Sequence, residues 1–415
     1  MHQMPSVLSA SKPMALDGSG TSWHPEQSVV EGLHGMSKDW HLMLHGRSFL
    51  RYNNQDMFSA GYRGAQAFGA PTWVMGMAVK SLSATSQLAF RAMFTAEPFT
   101  EGGDGYPLLF QTGETYNGIP LVDWQHPHDM FAELSVTISQ QLGDKSTIFA
   151  YAALPGEPAI GPPAFMHRPS ARHIPDSPIG HHWQDATHVT FGVATLGVIV
   201  GPIKVDGSVF TGREPDEERL GFDRPRFDSY SARFSLNLNN RWAFQASRAY
   251  IRGPEVHAPD IDMWRTAISL LYGRTNTRSN FSSSFVWGIN DPAGDASDVN
   301  HVHVISQGGD HVHAHTVTQH SLLAEADMAF ERTSIYTRAE FLQKDGAELG
   351  IAEFQDRLFW IGSWTVGGAR TVATAKFFDV MAGLQSTLYN VPADLHSVYG
   401  AWPVSGQVYV RLSFN

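Results

Sequence analysis

The sequence predicts an all-β protein, a transmembrane antiparallel up-and-down barrel of about sixteen strands. Three observations predict this class. From about residue 40 onward, segments of about ten residues alternate apolar and polar side chains, as strands with one apolar face do. Tight turns alternate with long loops along the chain. The composition, with 38 glycines, 12% aromatic and 17% charged residues, favours strands and turns over helices.

The strands are predicted where the alternation begins and ends. The clearest segment is the last, in which valine, leucine and phenylalanine alternate with polar residues. Strands are predicted near residues 40–53, 72–82, 86–97, 130–141, 145–154, 187–200, 203–212, 227–239, 241–252, 263–273, 280–289, 315–330, 333–343, 358–370, 377–390 and 405–414. Their even number is what single-chain bacterial barrels require.

The connections between these strands alternate in length. Tight turns lie at Gly143-Asp144, Gly201-Pro202 and Asn239-Asn240. Long loops are predicted at 54–71, 98–129, 155–186, 213–226, 290–314, 344–357 and 391–404. A soluble sandwich has no reason to collect its long loops at one end, whereas an outer-membrane barrel has short periplasmic turns and long extracellular loops. Both termini then fall on the periplasmic side.

The cost of burying charge in lipid decides which face looks inward. A charge on the lipid face near the midplane costs about 2–4 kcal/mol, so charged residues of the polar faces are expected to line the lumen and to pair there. These residues are Arg91, Glu97, Glu133, Arg233, Arg338, Glu340 and Arg411. Arg248 falls on the apolar parity of its strand, which is tolerable only near the headgroups.

Aromatic residues near strand ends are expected to form the girdles that mark the two membrane interfaces. They are Trp40, Trp73, Trp242, Tyr272, Tyr389 and Tyr399. The strands of a soluble antiparallel β protein would also alternate apolar and polar residues, but the loop lengths, the aromatic residues at strand ends and the final strand together favour the barrel.

Residues 1–38 are predicted to form a flexible N-terminal periplasmic arm and residues 39–415 the barrel. The opening MHQMPSVLSASKPMALDGSG lacks the basic start and apolar core of a signal peptide, so either the chain is cytoplasmic or its first residue lies downstream of a cleaved signal. The rest of the sequence favours the second. The absence of cysteine excludes thiolate metal sites, and the net charge of -11 gives no support for nucleic-acid binding.

Two resemblances add to this interpretation. The terminal VYVRLSF resembles the last strand of Gram-negative outer-membrane barrels, although Asn415 follows the aromatic Phe414. The segments GYPLLFQTGET, LVDWQHPHDMF, LPGEPAIGPPAFMHR and HHWQDATHVTFGV resemble a largely uncharacterised bacterial family associated with heavy-metal, especially copper, resistance clusters. The second resemblance implies an outer-membrane location and a metal-related role, and carries no catalytic residues.

The turn Trp124-Gln125-His126-Pro127-His128-Asp129 opens directly into the strand predicted at 130–141. Proline restricts the turn, so His126 and His128 are partly preorganised, and Asp129 can bind an ion or orient an imidazole. Such a turn can bind a metal ion, or it can have a purely structural role.

The proline-rich loop 155–186 strengthens the metal hypothesis, because a long ordered loop is usually functional or folded inward. This loop and the next strand's start add the potential ligands His167, His181, His182, Asp185 and His188. Imidazole and carboxylate together suit Zn, Cu(II) or Ni. A hydrogen-bonded plug that braces the barrel mouth explains the same residues.

Loop 290–314 and the residues after it have a different character. The run HVHVISQGGDHVHAHTVTQH is typical of low-complexity metal-binding tracts, with His311, His313 and His315 as candidate ligands. A solvated, pH-sensitive loop is the alternative. The N-terminal methionines are too sparse for a copper-binding tract, although thioethers suit Cu(I).

The sequence thus predicts a bacterial outer-membrane barrel that binds metal ions at its extracellular mouth and supports their passage or tolerance, with loops 98–129 and 155–186 folded inward. A copper or zinc ion is the expected cofactor, and none is organic. Expected partners are outer-membrane lipid, lipopolysaccharide and metal ions, and a homo-oligomer is compatible with the sequence. The alternatives are a general diffusion porin with a structural histidine-rich constriction and a closed scaffold. A lipid-hydrolysing barrel is disfavoured because a nucleophile signature is lacking, and we expect no enzyme.

Overall fold

The computed structural model describes residues 4–55, 57–58, 62–255, 259–293, 303–305, 311–313, 317–355 and 357–415. Sixteen strands form one closed antiparallel barrel in chain order. They are β1 Trp40–Asn54, β2 Thr72–Ser81, β3 Ser86–Thr95, β4 Phe131–Gly143, β5 Ser146–Ala153, β6 Val193–Val200, β7 Ile203–Phe210, β8 Ser229–Asn239, β9 Trp242–Ile251, β10 Asp262–Thr275, β11 Ser279–Ala293, β12 Gln319–Phe330, β13 Thr333–Asp345, β14 Leu358–Thr374, β15 Phe378–Asn390 and β16 Val404–Phe414. The barrel closes where β16 pairs with β1, from Gly406↔Asn54 to Ser413↔Arg47.

All sixteen predicted strands are confirmed. The largest difference is at β6, which was predicted from residue 187 and begins at Val193 because the residues before it are folded into the lumen. Strands outside the sixteen are Pro5–Ser6, Ser9–Pro13, Leu33–Ser37, Gln66–Gly69, Tyr106–Tyr116, Ile119–Gln125, His303–Ile305 and His311–His313.

Short helices lie in the loops and at the N-terminus. The α-helices are α1 Glu97–Thr100, α2 His181–Gln184 and α3 His396–Tyr399, and the 3₁₀ turns are Met14–Leu16, Phe165–His167, Pro169–Ala171, Ala186–His188, Ala352–Phe354 and Ala393–Leu395. Among the described residues, no helix has the length and apolar character needed to cross a bilayer.

The two faces of the wall match the predicted polarity. The seven charged residues expected in the lumen, Arg91, Glu97, Glu133, Arg233, Arg338, Glu340 and Arg411, are all buried. Several have partners of opposite sign, such as Glu133 at 2.8 Å from Arg91. The outer face carries exposed apolar side chains, such as Val408 and Leu412 on β16. Arg248 lies on this face with its guanidinium 4.7 Å from the centre of the Trp264 ring, among aromatic residues typical of an interface.

The aromatic prediction was only partly right. Trp242 and Tyr272 pack together on the outer face, with ring centres 4.6 Å apart, and Trp40 packs near Phe90. Tyr389 and Tyr399 are instead buried inside the barrel, and Trp73 packs against the internal hydrophobic core. Alternation places Trp73 and Tyr389 on the inner face of their strands, whereas Tyr399 belongs to α3 in the loop before β16. All three rings contribute to packing inside the barrel.

The N-terminal segment, residues 4–31, differs from the flexible arm that was predicted. Met4, Val7 and Leu8 are buried, and the Ser9 hydroxyl lies 2.9 Å from that of Thr147 on the inner wall. The Thr21 hydroxyl donates to Asp206 at 2.6 Å. The segment therefore packs inside the barrel, because its apolar residues join a buried cluster with inner-wall side chains such as Met75 and Val79, and its hydroxyls contact polar side chains of the wall.

A second segment fills the lumen from the opposite side. The plug loop, residues 154–192 between β5 and β6, is almost entirely buried. Arg168 ties it to the wall, lying 3.0 Å from Glu325 on β12, and Arg172 lies 2.7 Å from Asp327 on the same strand. The predicted inward folding of long loops is confirmed, and it brings this loop's histidines against those of the loop before β4.

Candidate functional site

Five imidazoles meet inside the barrel near the ends of the strands that carry long loops. This histidine cluster consists of His126, His128, His181, His182 and His188. Its ring centres are close: His126 to His182 is 5.7 Å, and His181 lies 5.3 Å from His182 and 5.0 Å from His188. All five side chains are buried.

Three short pieces of backbone position these rings. The proline turn holds His126 and His128 before β4, and α2 presents the adjacent His181 and His182. α2 ends at Gln184, and after Asp185 the 3₁₀ turn Ala186–His188 positions His188. Trp183, which is 1% exposed, anchors α2 against β11 and lies where a side chain at Gly288 would clash with its backbone.

Hydrogen bonds fix the orientation of the rings through their Nδ1 atoms. His128 Nδ1 lies 2.7 Å from Glu97, and His181 Nδ1 lies 2.6 Å from the Asp185 carboxylate. His188 Nδ1 lies 2.6 Å from the Asp185 carbonyl oxygen. Each contact assigns the proton to Nδ1 and turns Nε2 away from its partner, as carboxylates and carbonyls do around metal-binding histidines.

Most of the outward nitrogens have no partner in the part of the chain that the structure describes. Among the described residues, the Nε2 atoms of His126, His128 and His188 and both ring nitrogens of His182 are buried without a hydrogen bond. An unpaired buried polar group costs about 1–3 kcal/mol. A plug braced by hydrogen bonds alone would pair these atoms, whereas a bound cation would use their lone pairs.

The potential ligand atoms form overlapping groups. Atoms of His126, His181 and His182 lie within 4.8 Å of one another, and so do those of His128, His181 and His188. Zinc–nitrogen bonds of about 2.1 Å place tetrahedral ligands about 3.4 Å apart, so rings with nitrogens within 4.8 Å of one another need only a small shift to bind one ion. His181 is common to both groups, which makes it the decisive ligand to remove.

Electrostatics keeps most of the cluster neutral. Burial lowers the pKa of His181 and His182 to about 4, and burial together with nearby Arg219 lowers that of His126. Burial also opposes the charged form of His128, but the Glu97 carboxylate outweighs it and raises that pKa. Neutral imidazole is the form that binds a metal ion.

Carboxylates that the sequence did not single out as ligands surround the cluster. Glu114 lies 3.2 Å from His126 Nδ1, and Glu97 supports His128. Glu214 and Glu255 form a third group of potential ligands with His182, within the same 4.8 Å limit. These acids come from separate loops and strand ends, and no local sequence pattern connects them to the histidines.

The remaining predicted ligands lie elsewhere. Asp185 pairs with Arg168 and His181, and Asp129 lies 3.4 Å from Arg219, so neither faces the free Nε2 atoms. His167 turns away from the cluster towards Met93. His311 and His313 belong to a short strand paired with residues 303–305, and His315 lies outside the described residues.

The barrel is similar to solved porin structures. OmpF of Salmonella typhi, in a complex with daunomycin, aligns with a TM-score of 0.55 and 9% identity over 92% of this chain and 100% of that one. An anion-selective porin from Comamonas acidovorans aligns with a TM-score of 0.48 and 11% identity over 91% of this chain and 100% of that one. The chain has a porin-like fold. At these identities the likeness concerns the fold alone.

This fold and the apolar outer belt agree with the predicted location in the Gram-negative outer membrane. No protein-family model and no curated protein sequence matches the chain. The comparisons give no support to the resemblance with copper-resistance proteins.

Proposed function

We propose that the protein is a porin-like barrel whose histidine cluster binds a divalent transition-metal ion inside the lumen and supports passage or tolerance of that ion. The observation that carries the proposal is that the two nitrogens of the rings have different surroundings: four of the five rings have Nδ1 within hydrogen-bond distance of an oxygen, and four have a buried nitrogen without a partner among the described residues. All-nitrogen sites with nearby carboxylates suit Zn(II), Cu(II) and Ni(II).

Calorimetric titration of the refolded, detergent-solubilised chain with Zn(II) tests the binding. We expect sub-micromolar stoichiometric binding that His181→Ala weakens at least 100-fold, because this residue belongs to both all-histidine triads. His126→Ala and His188→Ala each remove one triad and so show which of the two holds the ion. His34→Ala, at an exposed position outside the lumen cluster, is the matched control and keeps full affinity. Weak binding in the parent, or full binding in His181→Ala, refutes the site.

A general diffusion porin with a structural histidine constriction is the second candidate, and the fold likeness favours it. Planar-bilayer conductance separates the two. The metal proposal expects Zn(II) to change the conductance of the parent but not of His181→Ala. A diffusion porin conducts equally with and without Zn(II) in both proteins.

A further inference from the structure

A second group of potential ligands, chemically unlike the histidine cluster, lies deeper in the barrel. Seven of the chain's 14 methionines belong to a single buried cluster: Met4, Met14, Met43, Met75, Met77, Met93 and Met166. Four of them belong to the neighbouring strands β1, β2 and β3. Methionine is a common core filler, so clustering alone indicates packing.

Imidazoles among these thioethers distinguish the cluster from ordinary packing. A cavity of about 70 Å³, here called the methionine cavity, is lined by Met14, Met43, Met75 and Met77 together with His24, His45 and His167. His24 Nδ1 and His45 Nε2 are buried there without a hydrogen-bond partner among the described residues. Burying a polar nitrogen without a hydrogen bond is energetically costly, so these atoms are not explained by apolar packing.

The spacing of one nitrogen and one sulfur matches a pair of ligands. His167 Nε2 lies 3.4 Å from Met93 Sδ. Metal–nitrogen and metal–sulfur bonds of about 2.0 and 2.3 Å place two ligands of one ion about 3.4–3.7 Å apart. The ring centres of His45 and His167 are 5.9 Å apart, so His45 can approach the same point.

Three separate parts of the chain meet at this cavity. The N-terminal segment contributes Met14 and His24, the barrel wall contributes Met43 and His45, and the plug loop contributes His167. Two residues before His167, the Phe165 ring packs 5.4 Å from His181, so the same 3₁₀ turn separates the cavity from the histidine cluster.

Charge and softness together select the ion. The cavity wall holds the guanidinium groups of Arg47 and Arg91 and the carboxylates of Asp17 and Glu31, which balance in number. A balanced wall offers little compensation for a doubly charged ion, whereas a singly charged one is easier to bury. Thioethers are soft ligands that favour Cu(I) over zinc, and Ag(I) shares this chemistry.

We infer that the methionine cavity is a binding site for a soft monovalent metal ion, Cu(I) or Ag(I), with thioether and imidazole ligands. This site is distinct from the histidine cluster, and its existence does not depend on that of the divalent site.

Silver titration of the full chain in chloride-free detergent tests the inference without redox complications. The titration is made in a His181→Ala background, so that the histidine cluster does not compete. We expect one Ag(I) per chain, with affinity reduced at least 100-fold by Met75→Leu/Met77→Leu/Met93→Leu, which conserve side-chain volume. Met263→Leu/Met381→Leu, at two other buried wall positions, leaves the affinity unchanged.

A second measurement identifies the ligands and checks the fold. The Cu(I)-loaded protein should show sulfur scatterers at the copper X-ray absorption edge, and the triple leucine variant should lose them. With His181 present, that variant should still bind Zn(II) as the parent does, which shows an intact barrel. Silver binding that survives the three leucine substitutions, or a copper spectrum without sulfur, overturns the inference whatever the fate of the Zn(II) site.

Discussion

Replacing Arg168 by methionine should detach the plug loop from the barrel wall. Arg168 is fully buried and donates two hydrogen bonds to Glu325, at 3.0 and 3.2 Å, and one to Asp185 at 2.6 Å. Removing one partner of a buried ion pair costs about 3–5 kcal/mol, because the other charge is left uncompensated.

The other contacts of the two carboxylates place the expected loss within this range. Glu325 keeps Arg338 at 2.9 Å and the Ser170 hydroxyl at 3.0 Å, so it stays compensated. Asp185 keeps the His181 ring, at 2.6 Å, and the nearby His188 ring, neither of which carries a permanent charge. One carboxylate therefore loses its permanent cation, and we expect the free energy of unfolding to fall by about 3 kcal/mol, the lower end of the range.

Guanidinium unfolding of the protein in lipid vesicles measures this loss. Arg357→Met is the matched control, because the Arg357–Asp394 pair is about half exposed and its loss should change stability by less than about 1 kcal/mol. Asp185 also orients His181, so Arg168→Met should weaken Zn(II) binding by about 10–100-fold. A stability equal to that of the Arg357 variant would refute the plug-anchoring argument.

Three further predictions concern the cluster and its surroundings. Gly113→Ala should weaken Zn(II) binding measured by calorimetry, because an added methyl group would lie 2.5 Å from His182 Cε1 and the backbone φ there is +108°. Unchanged affinity would show that His182 is not a ligand. Glu97→Gln should weaken the same binding by about tenfold, since it removes the carboxylate that orients His128, and equal affinity would assign the ion to the other triad. Burial raises the pKa of Glu157 from 4.5 to about 8, against the attraction of Arg233. Because burial raises the folded-state pKa, the stability contributed by protonated Glu157 is complete below pH 4.5 and is lost, by on the order of 1 kcal/mol per pH unit, as the pH rises towards 8. The free energy of unfolding measured from pH 5 to 8 should therefore fall in the parent and stay flatter in Glu157→Gln.

The barrel could be predicted from the sequence because its signal is local. Alternation of apolar and polar residues locates the sixteen strands and assigns each residue to one face. The energetic cost of a charge in lipid then shows which face points inward, so the positions of Arg91, Arg233 and Arg338 could be predicted. Aromatic residues carry a weaker signal, since a ring near a strand end can face either side. Tyr389 and Tyr399 were therefore misplaced.

The site was predictable only in part, because its contacts are distant in sequence. The proline turn and the paired histidines of α2 stand out in the sequence, and inward folding of two long loops brings them together. Glu97, Glu114 and His45 carry no local pattern that links them to a site. The N-terminal segment looked flexible because its apolar residues have no periodicity; their burial depends on a lumen built from strands far along the chain.

The central claim is that His181 and its neighbours surround a divalent metal ion, and anomalous X-ray scattering from Zn(II)-soaked crystals tests it most directly. Data collected on both sides of the zinc edge should show one strong difference peak within bonding distance of the His181 ring, flanked by His126 and His182 or by His128 and His188. A map with these five rings well ordered and no zinc peak among them would contradict the account.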